Sequence, residues 1–248
     1  MTTKPIAPRA GASRILFPDT PREDMQNLQY LNDPAFIPTL RQHLGFWDTT
    51  AVLSEYPIGW QNTRERRGLL VSDLLIAFEV DPSVVVADNG FSIEYQGKAP
   101  DFVLEIASPT TSRRDETEKR VGYEAFGVPE YWRFDNTAGQ HYSTPLAGDR
   151  LVNGAYEPIP VEEVSWARRW GYSAALGLYL CWEYGYLRWY DPATGYLPTH
   201  YQVLDAGRAA EAERLAAEAE RDRERERRLA AEARNQELEA EILRLRGL

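Results

Sequence analysis

The hydrophobic positions in the middle of the chain form short runs separated by turn residues. Five of these runs are rich in β-branched, aromatic or leucine residues and are bounded by Gly, Pro, Asp or Asn, which is typical of β-strands. They cover residues 51–53, 69–78, 83–86, 102–106 and 131–134. Between the last two lies 112–126, which we expect to form a helix that stops at Gly127. The order strand, helix, strand predicts a mixed β-sheet with a crossover helix.

The flanking segments have other patterns. Residues 1–20 lack periodicity and are predicted to be a flexible arm, whereas 21–44 carry apolar positions at helical spacing, interrupted by prolines, that favour two short helices. Aromatic residues around glycine-containing turns predict β-hairpins in 148–160 and 176–198. We therefore predict an α/β domain at 21–204, with a mixed sheet flanked by helices and followed by hairpins.

From Asp205 to Leu248 the chain has no proline and is rich in Ala, Glu, Arg and Leu, which predicts one long charged helix. Leu238, Ile242 and Leu245 form a short apolar seam near its end, and polar residues interrupt the seam towards the N-terminal half. A solvated helix and a coiled coil that joins two copies are both compatible with this pattern.

The composition limits the classes of protein to which the chain can belong. The chain has 248 residues, of which 43% are hydrophobic, so it can bury a core without disulfides, and it has a single cysteine. We expect no membrane segment and no signal peptide, and hence a cytoplasmic protein. The formal net charge of −10 argues against binding nucleic acid by bulk charge alone. Contact with DNA would have to be local or assisted by a metal ion.

Candidate chemistry lies between residues 73 and 135. Asp73 opens the apolar run 74–78, and Asp101 and Glu105 lie in the segment 101–107, which contains a second such run and where alternation places both on one face. A carboxylate within an apolar strand needs a cation, a hydrogen bond or a metal ion as partner, because burying an unpaired charge is costly. The alternative is that Glu105 is exposed on an edge strand.

The helix that follows offers a cation. Asp115, Lys119, Tyr123 and Phe126 share one helical face, with Gly122 at a position where close packing favours a small residue. Lys119 can point towards the sheet; alternatively, it can extend its ammonium into solvent or simply pair with Asp115. Two carboxylates from neighbouring strands and one lysine are the set that Mg²⁺-dependent phosphodiester hydrolysis requires.

The string PDFVLEIASPTTSRRDETEKRVGYEAFGVPEYWRFD resembles the signature of the Uma-two family of restriction-endonuclease-like proteins, in the PD-(D/E)xK nuclease superfamily. Ser72–Ile76 resembles that family's first Pro-Asp strand. The resemblance spans about residues 30 to 248. It implies a restriction-endonuclease-like fold and hydrolysis of DNA with Mg²⁺, which Mn²⁺ can replace, leaving a 5′-phosphate.

The resemblance also implies roles for individual residues. Asp73 and Glu105 would be the acidic metal ligands, and Ile106 would contribute its main-chain carbonyl. Ala107 stands where the superfamily has its lysine, so Lys119 would be the substitute supplied by the helix. Asp101 would be a further ligand, a turn-former or a residue that orients Lys119.

The substitution at Ala107 also favours a second hypothesis, a DNA-binding or assembly module that has lost turnover. Lys98, Arg113 and Arg114 are expected to flank the site and to steer DNA towards it. A homodimer would form through the nuclease domain or through the C-terminal helix.

Overall fold

The computed structural model describes residues 16–18 and 36–247 and divides the chain into two compact units, Met1–Pro198 and Thr199–Leu248. Helices of the first unit are Phe36–Leu44 (α1), Pro82–Asp88 (α2), Ile93–Gln96 (α3), Ser112–Arg114 (α4) and Arg120–Phe126 (α5), with a π-helical turn, Asp115–Lys119, between the last two. Its strands are Thr50–Leu53 (β1), Pro57–Gly59 (β2), Leu70–Val71 (β3), Leu74–Phe78 (β4), Phe91–Ser92 (β5), Phe102–Ile106 (β6), Glu130–Phe134 (β7), Leu146–Val152 (β8), Ala155–Ile159 (β9), Val161–Ser165 (β10), Arg168–Ser173 (β11), Leu178–Glu183 (β12), Tyr186–Asp191 (β13) and Gly195–Tyr196 (β14).

The strands form three sheets. The central sheet has six strands in the order β1-β4-β6-β7-β8-β9, in which β6 and β7 are parallel and the other neighbours antiparallel. A five-stranded antiparallel sheet runs from β10 to β14, and a small sheet has the order β3-β2-β5. The parallel pair is connected by the helix at 112–126, so the predicted crossover is confirmed. The predicted α/β class, with hairpins after a mixed sheet, is also confirmed.

The central sheet is covered on both faces. Alternation along β6 directs Phe102 and Leu104 to one face, where they pack with Leu180 and Trp189 of the five-stranded sheet. Val103 points to the other face and packs in a second cluster with residues of α5. The sheet therefore lies between the five-stranded sheet and a layer that contains the helix at 112–126.

That helix has the predicted bounds and orientation. Tyr123 and Phe126 are buried, and Gly127 ends the helix with φ 77°, as predicted from its position. A Cβ on Gly122 would lie 2.7 Å from Cδ1 of Leu70, so the expected close approach occurs against β3.

Two strand predictions are wrong. The run 83–86 belongs to helix α2, because Asp81 accepts hydrogen bonds from the main chain of Ser83 and Val84, and Pro82 occupies the first turn. These start signals outweigh the β propensity of the valines. The run 69–78 is two strands, β3 and β4, which are interrupted at Ser72 and Asp73.

Part of the predicted N-terminal arm is packed against the domain. Phe17 is buried, and its N–H donates to the carbonyl of Asp88. The rest of the arm and the first of the two helices predicted at 21–44 lie outside the described residues, and α1 is the second.

The second unit is a single helix, His200–Leu245 (α6). It begins five residues before the predicted Asp205, because Thr199 and Gln202 form a capping box at its N-terminus. None of the described helices has the length and apolar content that crossing a membrane requires.

Candidate active site

The two predicted acidic ligands lie side by side on the central sheet. Leu74 of β4 is paired with Leu104 of β6, so extending this antiparallel register by one residue places Asp73 opposite Glu105. Directly opposed residues share a face, with Cβ atoms about 5 Å apart. The N–H of Ile106 donates to Oδ2 of Asp73 at 2.6 Å. Asp73 is 6% exposed and Glu105 1%, so the alternative of an exposed Glu105 on an edge strand is wrong.

Lys119 reaches Glu105 of this pair from the helix above the sheet. Its ammonium donates to Oε2 of Glu105 at 2.8 Å and lies 3.1 Å from Oδ1 of Asp115. Lys119 is 8% exposed, so the alternative of a lysine that extends into solvent is wrong. The pairing with Asp115 does occur, in addition to the contact with Glu105.

The helix changes its winding where it carries these residues. Asp115–Lys119 is a π-helical turn between α4 and α5. Such turns are rare and are frequent at functional sites, because the extra residue per turn redirects side chains. One turn further on, the hydroxyl of Tyr123 donates to Oε1 of Glu105 at 2.7 Å. Each oxygen of Glu105 therefore accepts a hydrogen bond from this helix.

Asp115 is held by two tyrosines that sequence reasoning did not connect with the site. Tyr142 donates its hydroxyl to Oδ2 of Asp115, and Tyr131 donates its hydroxyl to the main-chain carbonyl of Asp115, each at 2.8 Å. Asp115 is fully buried. The spacing of Asp115 and Lys119 was a usable signal for their pairing, whereas Tyr142 lies in a distant loop that carries no motif.

Burial raises the pKa values of the two carboxyl groups on the sheet. The pKa of Asp73 rises to about 6, because desolvation, Asp115 and Glu55 together outweigh the Lys119 ammonium and the N–H of Ile106. The pKa of Glu105 is raised well above its ordinary value, mainly by desolvation. Desolvation alone would lower the pKa of Lys119, but the neighbouring carboxylates outweigh it and raise this pKa.

The ammonium of Lys119 contacts the carboxylates of Glu105 and Asp115, and Asp73 lies beside Glu105. When all four groups are ionised, these three carboxylates and one ammonium leave two negative charges in excess. Within the described residues, no group of three or more His, Cys, Asp or Glu side chains is arranged to hold a metal ion. The ligand set implied by the family resemblance needs fewer side chains. It consists of two carboxylates and one main-chain carbonyl, and water and phosphate oxygens would complete the coordination shell. The excess charge and the oxygen donors are compatible with a divalent cation.

Asp101 is not part of this cluster. It precedes β6 at the end opposite Glu105, about 13 Å away at 3.3 Å per strand residue. Its carboxylate accepts hydrogen bonds from the ammonium of Lys98 at 2.7 and 2.8 Å and from the N–H of Phe78 at 2.8 Å. Asp101 thus provides an acceptor for the N–H of the last residue of β4 and does not contact Lys119. Lys98 is engaged there and does not flank the site.

Comparisons with known proteins agree with the predicted family. The model of the Uma2 family, described as "Putative restriction endonuclease", matches residues 58–169, which include Asp73, Glu105, Lys119 and Tyr142. A crystal structure of a protein from Anabaena variabilis, described as a putative nuclease belonging to DUF820, is similar with 15% identity and a TM-score of 0.35. The similarity covers 54% of this chain and 69% of that chain. No curated protein matches the chain. The predicted family resemblance is confirmed over residues 58–169, a shorter span than the predicted 30 to 248; the restriction-endonuclease-like class is confirmed with it, and the match supports a nuclease function.

Proposed function

We propose that the chain is a Mg²⁺-dependent endonuclease that hydrolyses phosphodiester bonds of DNA, with Mn²⁺ able to replace Mg²⁺. The observation that carries the proposal is the buried contact of 2.8 Å between Lys119 and Glu105, beside Asp73 on the neighbouring strand. An ammonium in contact with one carboxylate, with a second carboxylate on the neighbouring strand, is the set of groups that metal-assisted hydrolysis uses.

Asp73 and Glu105 would hold the ion through carboxylate oxygens, with the main-chain carbonyl of Ile106 as a neutral ligand. Burial is the main cause of the raised pKa values of both carboxyl groups, and neighbouring carboxylates add to it, so a divalent cation would supply positive charge where ionised carboxylates lack water. A bound Mg²⁺ supplies a Lewis acid and lowers the pKa of its water. Tyr123 orients Glu105 by its hydrogen bond to Oε1.

Lys119 acts as a hydrogen-bond donor in this proposal. The neighbouring carboxylates raise its pKa, so the amine stays protonated at neutral pH and does not accept a proton from water. Its positive charge stabilises the negative charge that develops on the phosphate oxygens. Lys119 thereby takes the place of the superfamily lysine at the position of Ala107.

DNA contacts would be local, since the whole chain is acidic. Arg113 and Arg114 are exposed at the start of the helix that carries Lys119. Arginines at such positions bind backbone phosphates and fix the orientation of a duplex without reading its sequence. We expect weak, salt-sensitive binding that does not depend on the bases.

Plasmid nicking tests the proposal. We expect wild-type protein with Mg²⁺ or Mn²⁺ to nick supercoiled DNA and Glu105→Gln to lose this activity. We expect Glu163→Gln to retain it, because the Glu163 side chain is 63% exposed and belongs to the five-stranded sheet, away from the site. Calorimetric titration with Mn²⁺ in the absence of DNA gives a second measurement. Equal nicking by wild type and Glu105→Gln would contradict the assigned site.

The alanine at position 107 favours a second candidate function, a nuclease-derived module that binds DNA or assembles with proteins without turnover. A wild-type protein that retards DNA in a gel but does not nick it with either ion would identify this candidate. We also propose a homodimer, formed by the nuclease domain or by α6, which light scattering of the full chain tests.

A further inference from the structure

The carboxylate of Asp115 has two different partners. Oδ1 lies 3.1 Å from the ammonium of Lys119, whereas Oδ2 accepts the hydroxyl hydrogen bond of Tyr142 at 2.8 Å. Asp115 is fully buried and Tyr142 is 3% exposed, so water does not compete for either contact. Tyr142 thus occupies one oxygen and leaves the other to the lysine.

The main chain of Asp115 is also held in place. In a π-helical turn the carbonyl groups lose the regular bonding pattern of an α-helix, and here the hydroxyl of Tyr131 on β7 donates to the carbonyl of Asp115 at 2.8 Å. The sheet below the helix thereby fixes the turn that presents both Asp115 and Lys119.

The loop that carries Tyr142 is attached at both of its sides. Asp135 accepts hydrogen bonds from the N–H groups of His141 and Tyr142, at 2.8 and 3.0 Å. Ser143 donates its N–H and its hydroxyl to Oε1 of Glu116, at 2.9 and 2.6 Å. Adjacent loop residues therefore bind adjacent helix residues, which fixes the hydroxyl of Tyr142 relative to the π-helical turn.

From these contacts we infer that Asp115 and Tyr142 are positioning residues, which hold the ammonium of Lys119 against Glu105. A lysine side chain has four rotatable bonds, and ordering it costs more entropy than ordering most side chains. Contact with Glu105 alone would leave the ammonium free to swing along the sheet, whereas a second carboxylate on the helix confines it. The catalytic meaning of this inference rests on the proposed nuclease function.

The chain allows a direct observation of Lys119. Its lysines are Lys4, Lys98 and Lys119, so selective isotope labelling of lysine gives three sets of side-chain NMR signals, assigned with Lys→Arg variants. In the metal-free full chain we expect two resolved Hε signals and a rigid Cε for Lys119. In Tyr142→Phe we expect these signals to merge and the Cε to become mobile, with Lys98 unchanged. Asp115→Asn, which keeps the shape of the side chain, is a second variant with the same expected result.

Tyr156→Phe is the matched control. Tyr156 is 7% exposed and its hydroxyl donates to the carbonyl of Val128 at 2.9 Å, without contact to Lys119 or Asp115. Both variants lose a buried phenol hydrogen bond, but only Tyr142→Phe should increase the mobility of the Lys119 side chain. We expect Tyr142→Phe to lower kcat for nicking about 10-fold or more, as loss of an outer partner at a metal site does, with KM unchanged.

Unchanged Lys119 signals in both Tyr142→Phe and Asp115→Asn would overturn the inference, whatever the activity. Loosened signals with an unchanged kcat would also overturn it, because the confinement would then serve stability alone. If the wild type does not cut DNA, the proposed function fails, and the NMR comparison still decides whether these residues position Lys119.

Discussion

Glu130 joins the central sheet to the five-stranded sheet, and replacing it tests how far this buried carboxylate stabilises the fold. Oε1 accepts two hydrogen bonds from the guanidinium of Arg150, at 2.8 and 3.1 Å, and one from the N–H of Ala174 at 3.0 Å. Oε2 accepts from the indole of Trp132 at 3.1 Å and from the hydroxyl of Ser173 at 2.6 Å. Glu130 is 1% exposed.

Glu130→Gln keeps the volume but removes the charge and replaces one acceptor oxygen by an NH₂ group. That group would either face Trp132 and Ser173, two buried donors that then lose their acceptor, or face the guanidinium of Arg150, where donor meets donor. The Arg150 side chain is 39% exposed, so water can solvate its charge, and the loss is that of a hydrogen bond to a charged group, about 1.5–3 kcal/mol. At roughly 2–4 °C per kcal/mol for a domain of this size, we expect Tm to fall by about 3–12 °C.

Calorimetry and near-UV circular dichroism would measure this change. The matched control is Glu163→Gln, because Glu163 pairs with Arg169 at 3.1 Å with its side chain 63% exposed, and exposed pairs contribute about 0–1 kcal/mol. A Tm for Glu130→Gln within about 2 °C of the Glu163→Gln value, roughly 1 kcal/mol or less, would refute the reasoning that this carboxylate stabilises the contact of the two sheets.

Three further predictions concern the site and the core. Burial raises the pKa of Asp73 in the folded protein to about 6, from an ordinary 3.8. The protonated carboxyl group therefore stabilises the metal-free protein below pH 3.8, and this contribution is lost as pH rises through 6. In urea denaturation, Asp73→Asn should be more stable than wild type by about 2–3 kcal/mol at pH 7.5 and equally stable at pH 3.5. Lys119→Met should abolish nicking and lower the free energy of unfolding by about 3–5 kcal/mol, because it leaves Glu105 buried without its ion-pair partner. Adding Glu105→Gln should restore the stability but not the nicking. A double variant no more stable than Lys119→Met would contradict this prediction. Gly171→Ala should cost about 1–3 kcal/mol, because its Cβ would lie 2.6 Å from the buried ring of Trp132; an unchanged denaturation midpoint would show that the ring can shift.

Local signals in the sequence predicted the strands of the central sheet that carry the site. Apolar runs bounded by turn residues were sufficient for β6 and β7, and Gly127 marked the end of the helix between them. The run of valines in α2 was misassigned, since a helix start at Asp81 and Pro82 outweighs the preference of valine for strands.

Long-range contacts explain what sequence reasoning did not predict at the site. Tyr142 reaches Asp115 only because the loop after β7 folds back over the helix, and the two residues are 27 positions apart. Asp101 and Glu105 share a strand face, which made Asp101 a candidate, but the length of the strand separates them. Alternation predicts which face a residue occupies and does not tell at which end of the strand a site forms.

In the proposed site the lysine comes from a helix and not from the strand that carries Glu105, so the position of its ammonium depends on the contacts that hold the helix. A lysine at position 107 would project from β6, where the N–H of Ala107 is already fixed by the carbonyl of Phe134. Lys119 instead belongs to a helix, so the position of its ammonium depends on the π-helical turn and on the close packing of the helix against Leu70 that Gly122 allows. Asp115, itself held by two tyrosines, ties the ammonium to the helix that carries it, at the cost of a third buried carboxylate that raises the pKa of Asp73.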